Sequence, residues 1–236
     1  VGTNMYTWGK DKLFQTLRIG PSKLSIDAVL DDAMLTGGWM GVAPGAWDRF
    51  DPGPDAVEGL SLMRNHLLDM GGYDAGETPI RLILRATGVP VSILDVGIKV
   101  LDRTTPPGGD YVAYEGQGAD EAIYIAYNLD EDQPVGLEQF GDYHDQPYFD
   151  SHTVNLQEGA SQIFRLTVTS SRDAVTWQLK ITAGIGDDVK HFLVPEDPTK
   201  AYKTAPSPAP ESTQPYWRWW GSWLGGDPYN QKWVVS

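Results

Sequence analysis

The chain has 236 residues, with 32 Asp+Glu against 18 Lys+Arg and a formal net charge of −14. Hydrophobic residues make up 41%, enough for a packed core, which excludes a disordered acidic tail. There is no cysteine, which excludes a disulfide framework, a thiolate nucleophile and Cys-ligated zinc or iron–sulfur centres.

The length suits one large domain or two small ones. The acidic balance speaks against a nucleic-acid reader, because phosphate contacts need clustered Lys and Arg. No run of about 18 consecutive apolar residues occurs, so no membrane span is expected within this chain. The opening Val1-Gly2-Thr3-Asn4 does not lead into the basic and apolar regions of a signal peptide. Any signal or anchor is therefore expected to lie upstream.

The chain divides into three zones. Residues 1–76 form an irregular N-terminal segment. Leu24, Ile26, Ala28 and Leu30 alternate with neighbours such as Ser25 and Asp27, which predicts a strand. Gly37-Gly38, Pro44-Gly45 and Pro52-Gly53-Pro54 interrupt the chain after this strand, and Leu60, Met63, Leu67 and Met70 give a short helix over 57–70.

Residues 77–205 carry the clearest two-residue period, the mark of strands with one buried face. The runs are Ile80/Leu82/Leu84/Ala86, Leu94/Val96/Ile98/Val100, Ile123/Ile125/Tyr127/Leu129, Phe164/Leu166/Val168 and Val175/Trp177/Leu179/Ile181, with 189–194 closing the set. Gly88-Val89-Pro90 and Ser170-Ser171-Arg172-Asp173 have the composition of hairpin connections. The expected architecture is all-β: an antiparallel, immunoglobulin-like β-sandwich. Residues 206–236 open with alternating Pro206, Pro208 and Pro210, an extended linker, and continue into an aromatic tail. Five of the nine Trp lie within 217–233.

Within 78–205 several segments share a pattern with a known group. These are Val89-Pro90-Val91-Ser92-Ile93-Leu94-Asp95-Val96, Tyr127-Asn128-Leu129-Asp130, Pro147-Tyr148-Phe149, Ile163-Phe164-Arg165-Leu166-Thr167-Val168, Thr176-Trp177-Gln178-Leu179, and His191-Phe192-Leu193-Val194 followed by Tyr202-Lys203-Thr204. In this order they resemble an uncharacterised actinobacterial extracytoplasmic domain, often found downstream of a single transmembrane helix. The resemblance implies a β-sandwich on the outer face of a Gram-positive membrane and brings no substrate with it. Members often carry a Cys pair in the hairpin near the Trp, where this chain has Arg172-Asp173-Ala174-Val175.

Candidate chemistry concentrates in residues 104–164, which contain 12 acidic residues and no Lys or Arg. Hard oxygen ligands at loop spacing suit Ca²⁺. Asp130, Glu131 and Asp132, with Asn128, are the candidate ligands, although the Gly and terminal Glu of an EF-hand are missing. A solvated acidic face accounts for the same residues. The segment 143–152 holds His144, Asp145, Tyr148, Asp150, Ser151 and His152. A metal site or an acid–base pair can be drawn from them, and so can ordinary hydrogen-bonded loop histidines. Two carboxylates across a cleft would serve glycoside hydrolysis, at a separation no sequence displays. Phosphate-cradling Gly loops are absent.

Trp217, Trp219, Trp220 and Trp223, with Tyr148, His144 and His152, are the candidate binding residues. Trp favours desolvated anchor sites. Two placements of the tail are open: folded back on the N-terminal zone, whose Trp8, Trp39 and Trp47 also need burial, or docked on a partner or neighbouring copy.

The chain is expected to be a non-enzymatic binding, sensing or scaffold module, extracytoplasmic or at the cell surface, with no catalytic residue assigned. Its expected partner is a protein or a cell-envelope glycan, an oligomer is compatible, and Ca²⁺ is the one cofactor considered. The alternatives are a cell-envelope glycan hydrolase using Asp145, Asp150, His144 and His152, and a structural subunit docked through the Trp-rich tail.

Overall fold

The computed structural model describes residues 15–18, 24–30, 38–42, 68, 71–106, 110–114, 122–140, 144–207, 216–219 and 233–235. These residues form two mixed β-sheets packed together as a sandwich, with one short helix. The expected helix over 57–70 lies outside them apart from Leu68, which is helical.

The strands are β1 (Gln15–Arg18), β2 (Leu24–Leu30), β3 (Gly38–Val42), β4 (Tyr73–Ala75), β5 (Glu77–Ala86), β6 (Val91–Thr104), β7 (Asp110–Tyr114), β8 (Ile123–Asn128), β9 (Leu137–Glu138), β10 (Val154–Leu156), β11 (Ser161–Thr169), β12 (Ala174–Ile185), β13 (Asp188–Val194), β14 (Tyr202–Ala205), β15 (Tyr216–Trp219) and β16 (Trp233–Val235). The helix α1 is Tyr148–Ser151. One sheet runs β1-β2-β5-β11-β8-β9; the other runs β10-β6-β12-β14-β4-β3-β7-β15-β16, with β13 also on β12.

The alternation read from sequence produces the core. Ile26, Ile80, Leu82, Leu84, Phe164, Leu166 and Ile125 of the first sheet are fully buried against Ile93, Trp177, Leu179, Ile181 and Ala183 of the second. Burying a side chain of this class contributes about 1.5–3 kcal/mol, so this interface is the main source of stability.

Three expectations are corrected. The sheets are mixed rather than antiparallel: β8 pairs parallel with β11, β14 with β4, and β15 with β7. The turns at Gly88-Val89-Pro90 and Ser170–Asp173 are not hairpins. Each carries the chain from the first sheet to the second, since β5 and β11 belong to one and β6 and β12 to the other. A turn between two half-apolar strands has the same composition whether they pair edge to edge or pack face to face. The tight hairpin is elsewhere, at Gly186-Asp187 between β12 and β13, where Ile185 pairs Asp188 and Gly186 holds φ 62.

The third correction concerns phase. Leu94 is grouped by sequence with Val96, Ile98 and Val100, yet it faces solvent while Ile93 is fully buried. Opposite Thr182 and Ala183, β6 supplies Asp95 and Ile93, so Leu94 is the extra residue of a β-bulge. A bulge shifts the strand by one residue and exchanges its faces.

Close packing also fixes a glycine. A Cβ on Gly136 would lie 2.7 Å from Tyr127 Oη and 2.8 Å from Ile125 Cγ2. Tyr127 is buried, and its hydroxyl donates to the Val96 carbonyl of the opposite sheet. Gly136→Ala is therefore expected to cost about 1–3 kcal/mol by overpacking, read as a lower chemical-denaturation midpoint.

Candidate functional site

At one end of the sandwich, Asp130 follows β8 and organises the turn leading into β12. Its carboxylate accepts from the Ser171 amide at 3.2 Å, the Arg172 amide at 3.2 Å, the Ser170 hydroxyl at 3.3 Å and the Ser171 hydroxyl. Burial alone would push this carboxyl up. The Ser171 hydroxyl, the Ser171 and Arg172 amides and the Arg172 guanidinium outweigh it and hold Asp130 below the usual carboxylate range.

Three successive carbonyls of the same turn accept from guanidinium groups. Arg103 donates to Leu129 O at 2.5 Å and to Glu131 O at 2.8 Å, and Arg172 donates to Asp130 O. These are the oxygens that a hard cation would use, and two arginines occupy them. Glu131 and Asp132 are exposed and point no carboxylate into the cluster by any hydrogen bond found among the described residues. Within those residues no group of three or more His, Asp or Glu is arranged to hold a metal. The geometry makes Asp130 a latch between the two sheets.

The histidines engage separate partners. His144 is exposed, with Nδ1 at 2.9 Å from Asp145 Oδ2, and Asp145 holds φ 60. The His152 ring stacks on Tyr148 with centroids 4.5 Å apart, and its Nδ1 lies 3.0 Å from both Tyr148 O and Ser151 Oγ. A carbonyl only accepts, so the contact with Tyr148 O places the proton on Nδ1. Tyr148 is buried, edge-on to Phe149 and Phe164. It anchors α1 to the core, and burial followed by Glu138 pushes its phenol up.

The backbone of the aromatic tail enters the second sheet. Tyr216, Trp217 and Arg218 pair with Tyr111, Val112 and Ala113, and Trp219 pairs Trp233. Trp220 and Trp223 lie outside the described residues.

The most open polar surface was not evident in sequence. It is the outer face of β10, β6, β12 and β13. Asp95, Thr182 and His191 occupy one row across three strands, with Thr182 Oγ1 at 3.1 Å from His191 Nδ1. Neighbouring strands lie about 4.8 Å apart, so the row presents carboxylate, hydroxyl and imidazole over about 10 Å. The next row holds Asn155, Ser92 and Gly184, with Ser92 Oγ donating to Asn155 Oδ1 at 2.7 Å. On the other side lie Gly97 and Lys180.

The two glycines lower the floor beside the row. A Cβ on Gly97 would stand 3.2 Å from Asp95 Oδ2, so its absence leaves that carboxylate room. Asp95 is half-buried. Burial pushes it up, Lys180 pulls it down, Asp150 of α1 pushes it up again, and the Val96 amide pulls it down, with a net upward displacement. The sequence signal was present in the polar phase of β12 (Thr176, Gln178, Lys180, Thr182). The bulge at Leu94 concealed which residues of β6 share that face.

No family model, curated protein or solved structure matches this chain.

Proposed function

We propose that the chain is a non-enzymatic, extracytoplasmic binding module whose working surface is the outer face of β10, β6, β12 and β13. The observation that carries this reading is the Asp95–Thr182–His191 row, open to solvent and flanked by Gly97 and Gly184. A carboxylate, a hydroxyl and an imidazole at strand spacing form a complementary array for a hydroxyl-bearing ligand. A cell-envelope glycan is the ligand class proposed.

The actinobacterial resemblance belongs to the same proposal. It is supported by the placement of its quoted segments on β6, β8, β11, β12 and β13. The immunoglobulin-like outline belongs to it too, supported by the two facing sheets and the turns that pass between them; the parallel pairing of β8 with β11 departs from it.

One observation favours a glycan hydrolase as the second reading. Asp150 helps push Asp95 above its ordinary value, and two carboxylates with separated proton affinities are what glycoside hydrolysis uses. A single variant separates the readings. Asp95→Asn keeps the shape and removes the charge. In titration calorimetry with soluble peptidoglycan fragments, the binding reading expects affinity to fall roughly tenfold or more, the worth of a hydrogen bond to a charged group. The wild type would release no reducing ends. Reducing-end release by the wild type that Asp95→Asn abolishes would replace this reading with the hydrolase.

A further inference from the structure

The tail reaches its place in the sheet by an unusual route. β14 pairs parallel with β4, β4 antiparallel with β3, β3 antiparallel with β7, and β7 parallel with β15. β14 and β15 therefore run in the same direction and lie four strand spacings apart, about 19 Å. The chain must also return along the length of a strand, about 13 Å for four residues, so the straight-line gap is roughly 23 Å. Residues 206–215 have to close it while passing across a face of the sheet. Their reach is at most about 36–40 Å, from 11 Cα steps.

Four of these ten residues are proline (Pro206, Pro208, Pro210 and Pro215), which have no N–H to give and favour extended backbone. Beyond them, β15 and β16 pair with each other and form a hairpin of their own, which joins the sheet through the β15–β7 pairing.

We infer that the edge of β7 is a strand-acceptor site, and that the β15–β16 hairpin of a second copy of this chain occupies it by exchange. The bonds made in exchange are those made within one chain, so no new surface is needed, and the cost is set by the connector. Within one chain a short connector supplies an effective concentration near the millimolar range, provided it spans the gap comfortably. Here the reach exceeds the straight gap by less than a factor of two, and the path over the sheet is longer than that gap. Two chains are released from this restriction. The inference stands apart from the proposed binding face, which lies at the opposite end of the same sheet.

The chain has no cysteine, which permits a clean cross-linking test on full-length protein. Arg218 pairs Ala113 in register. Neighbouring positions of this kind fall within the Cα separation that a disulfide bridges. Full-length chains carrying Ala113→Cys are mixed with full-length chains carrying Arg218→Cys, unfolded, refolded together and oxidised.

The expected product contains one of each chain at twice the 26.0 kDa chain mass. Deleting residues 209–212 leaves seven Cα steps, at most about 25 Å, too short to ride over the sheet within one chain. At about 0.1 mM protein this deletion should raise the dimer fraction by roughly tenfold, because the competing intramolecular closure is lost. The chain carrying both cysteines supplies the control. If it closes internally while the mixture gives no mixed dimer and the shortened chain stays monomeric, exchange is overturned. If it does not close internally, the register itself is wrong and the inference fails with it.

Discussion

Replacing Thr204 by Val is expected to be among the most damaging single changes in this protein. A buried chain of hydrogen bonds runs through this residue. Trp177 Nε1 donates to Thr204 Oγ1 at 2.9 Å, Thr204 Oγ1 and Thr78 Oγ1 are 2.6 Å apart, and Thr78 donates to Asp74 Oδ2 at 2.7 Å. Thr78 spends its proton on Asp74, so Thr204 must donate to Thr78, and the chain has one direction, from indole to carboxylate. All four residues are buried. They belong to β12, β14, β5 and β4, so the chain also ties one sheet to the other beside Gly76, where the backbone leaves β4 and enters β5.

Valine matches threonine in shape and leaves the indole N–H and the Thr78 oxygen without this partner. Each such buried group costs about 1–3 kcal/mol, so the expected loss is roughly 2–5 kcal/mol. For a chain of this size that corresponds to a fall in Tm of about 5–15 °C by calorimetry. Thr204→Ser should recover most of it. Trp177→Phe combined with Thr204→Val should fall well short of the sum of the single changes, since both break the same bond. A Thr204→Val protein that melts with the wild type would contradict the network.

The second large effect is expected at Asp130, and it depends on pH. Asp130→Asn removes the charge that four donors of 170–172 converge on and leaves the Arg172 guanidinium without it. Hydrogen bonds to a charged group contribute about 1.5–3 kcal/mol, and part of the cluster faces solvent, so a loss near 1–3 kcal/mol is expected at pH 7. Because the folded-state carboxyl is held below its ordinary 3.8, this contribution is present above that value and disappears as pH falls through the folded-state pKa. Wild type and Asp130→Asn should therefore converge in strong acid.

Two other carboxyls act in the opposite sense. Burial raises Glu77, with Asp74 adding to it, and burial raises Asp95. Their stabilisation is greatest below the ordinary carboxylate range and is lost as pH rises through their folded-state values. Lower pH also relieves the self-repulsion of a chain with formal charge −14. Stability should then peak in mild acid, roughly pH 4–5, rather than at neutrality. Urea midpoints at pH 3, 5 and 8 check this order, and a midpoint that rises steadily to pH 8 would contradict it.

Much of the sandwich was legible in the sequence because each long strand keeps one apolar phase. Ile80 to Ala86, Phe164 to Val168 and Val175 to Ile181 gave their strands and buried faces directly, since a two-residue period has no other compact reading. The hidden features depend on partners remote in sequence. Whether the turn at Ser170–Asp173 closes a hairpin or passes between sheets is decided by which strand lies beside β11, and that strand is β8, in parallel. Asp130 reads as one acid among many because the groups that engage it lie 40–42 residues away. The Asp95–Thr182–His191 row exists only once three strands are in register and the bulge at Leu94 has set Asp95 on the outer face. Local pattern carried the core, and tertiary register made the surface.

The proposed role of that surface is tested most directly by two-dimensional amide NMR of the ¹⁵N-labelled protein during titration with soluble peptidoglycan fragments. The account predicts shift changes gathered on Ser92, Asp95, Gly97, Lys180, Thr182 and His191, saturating together and absent in Asp95→Asn. Changes gathered instead around His144, Asp145 and His152, or no saturable change at all, would contradict it.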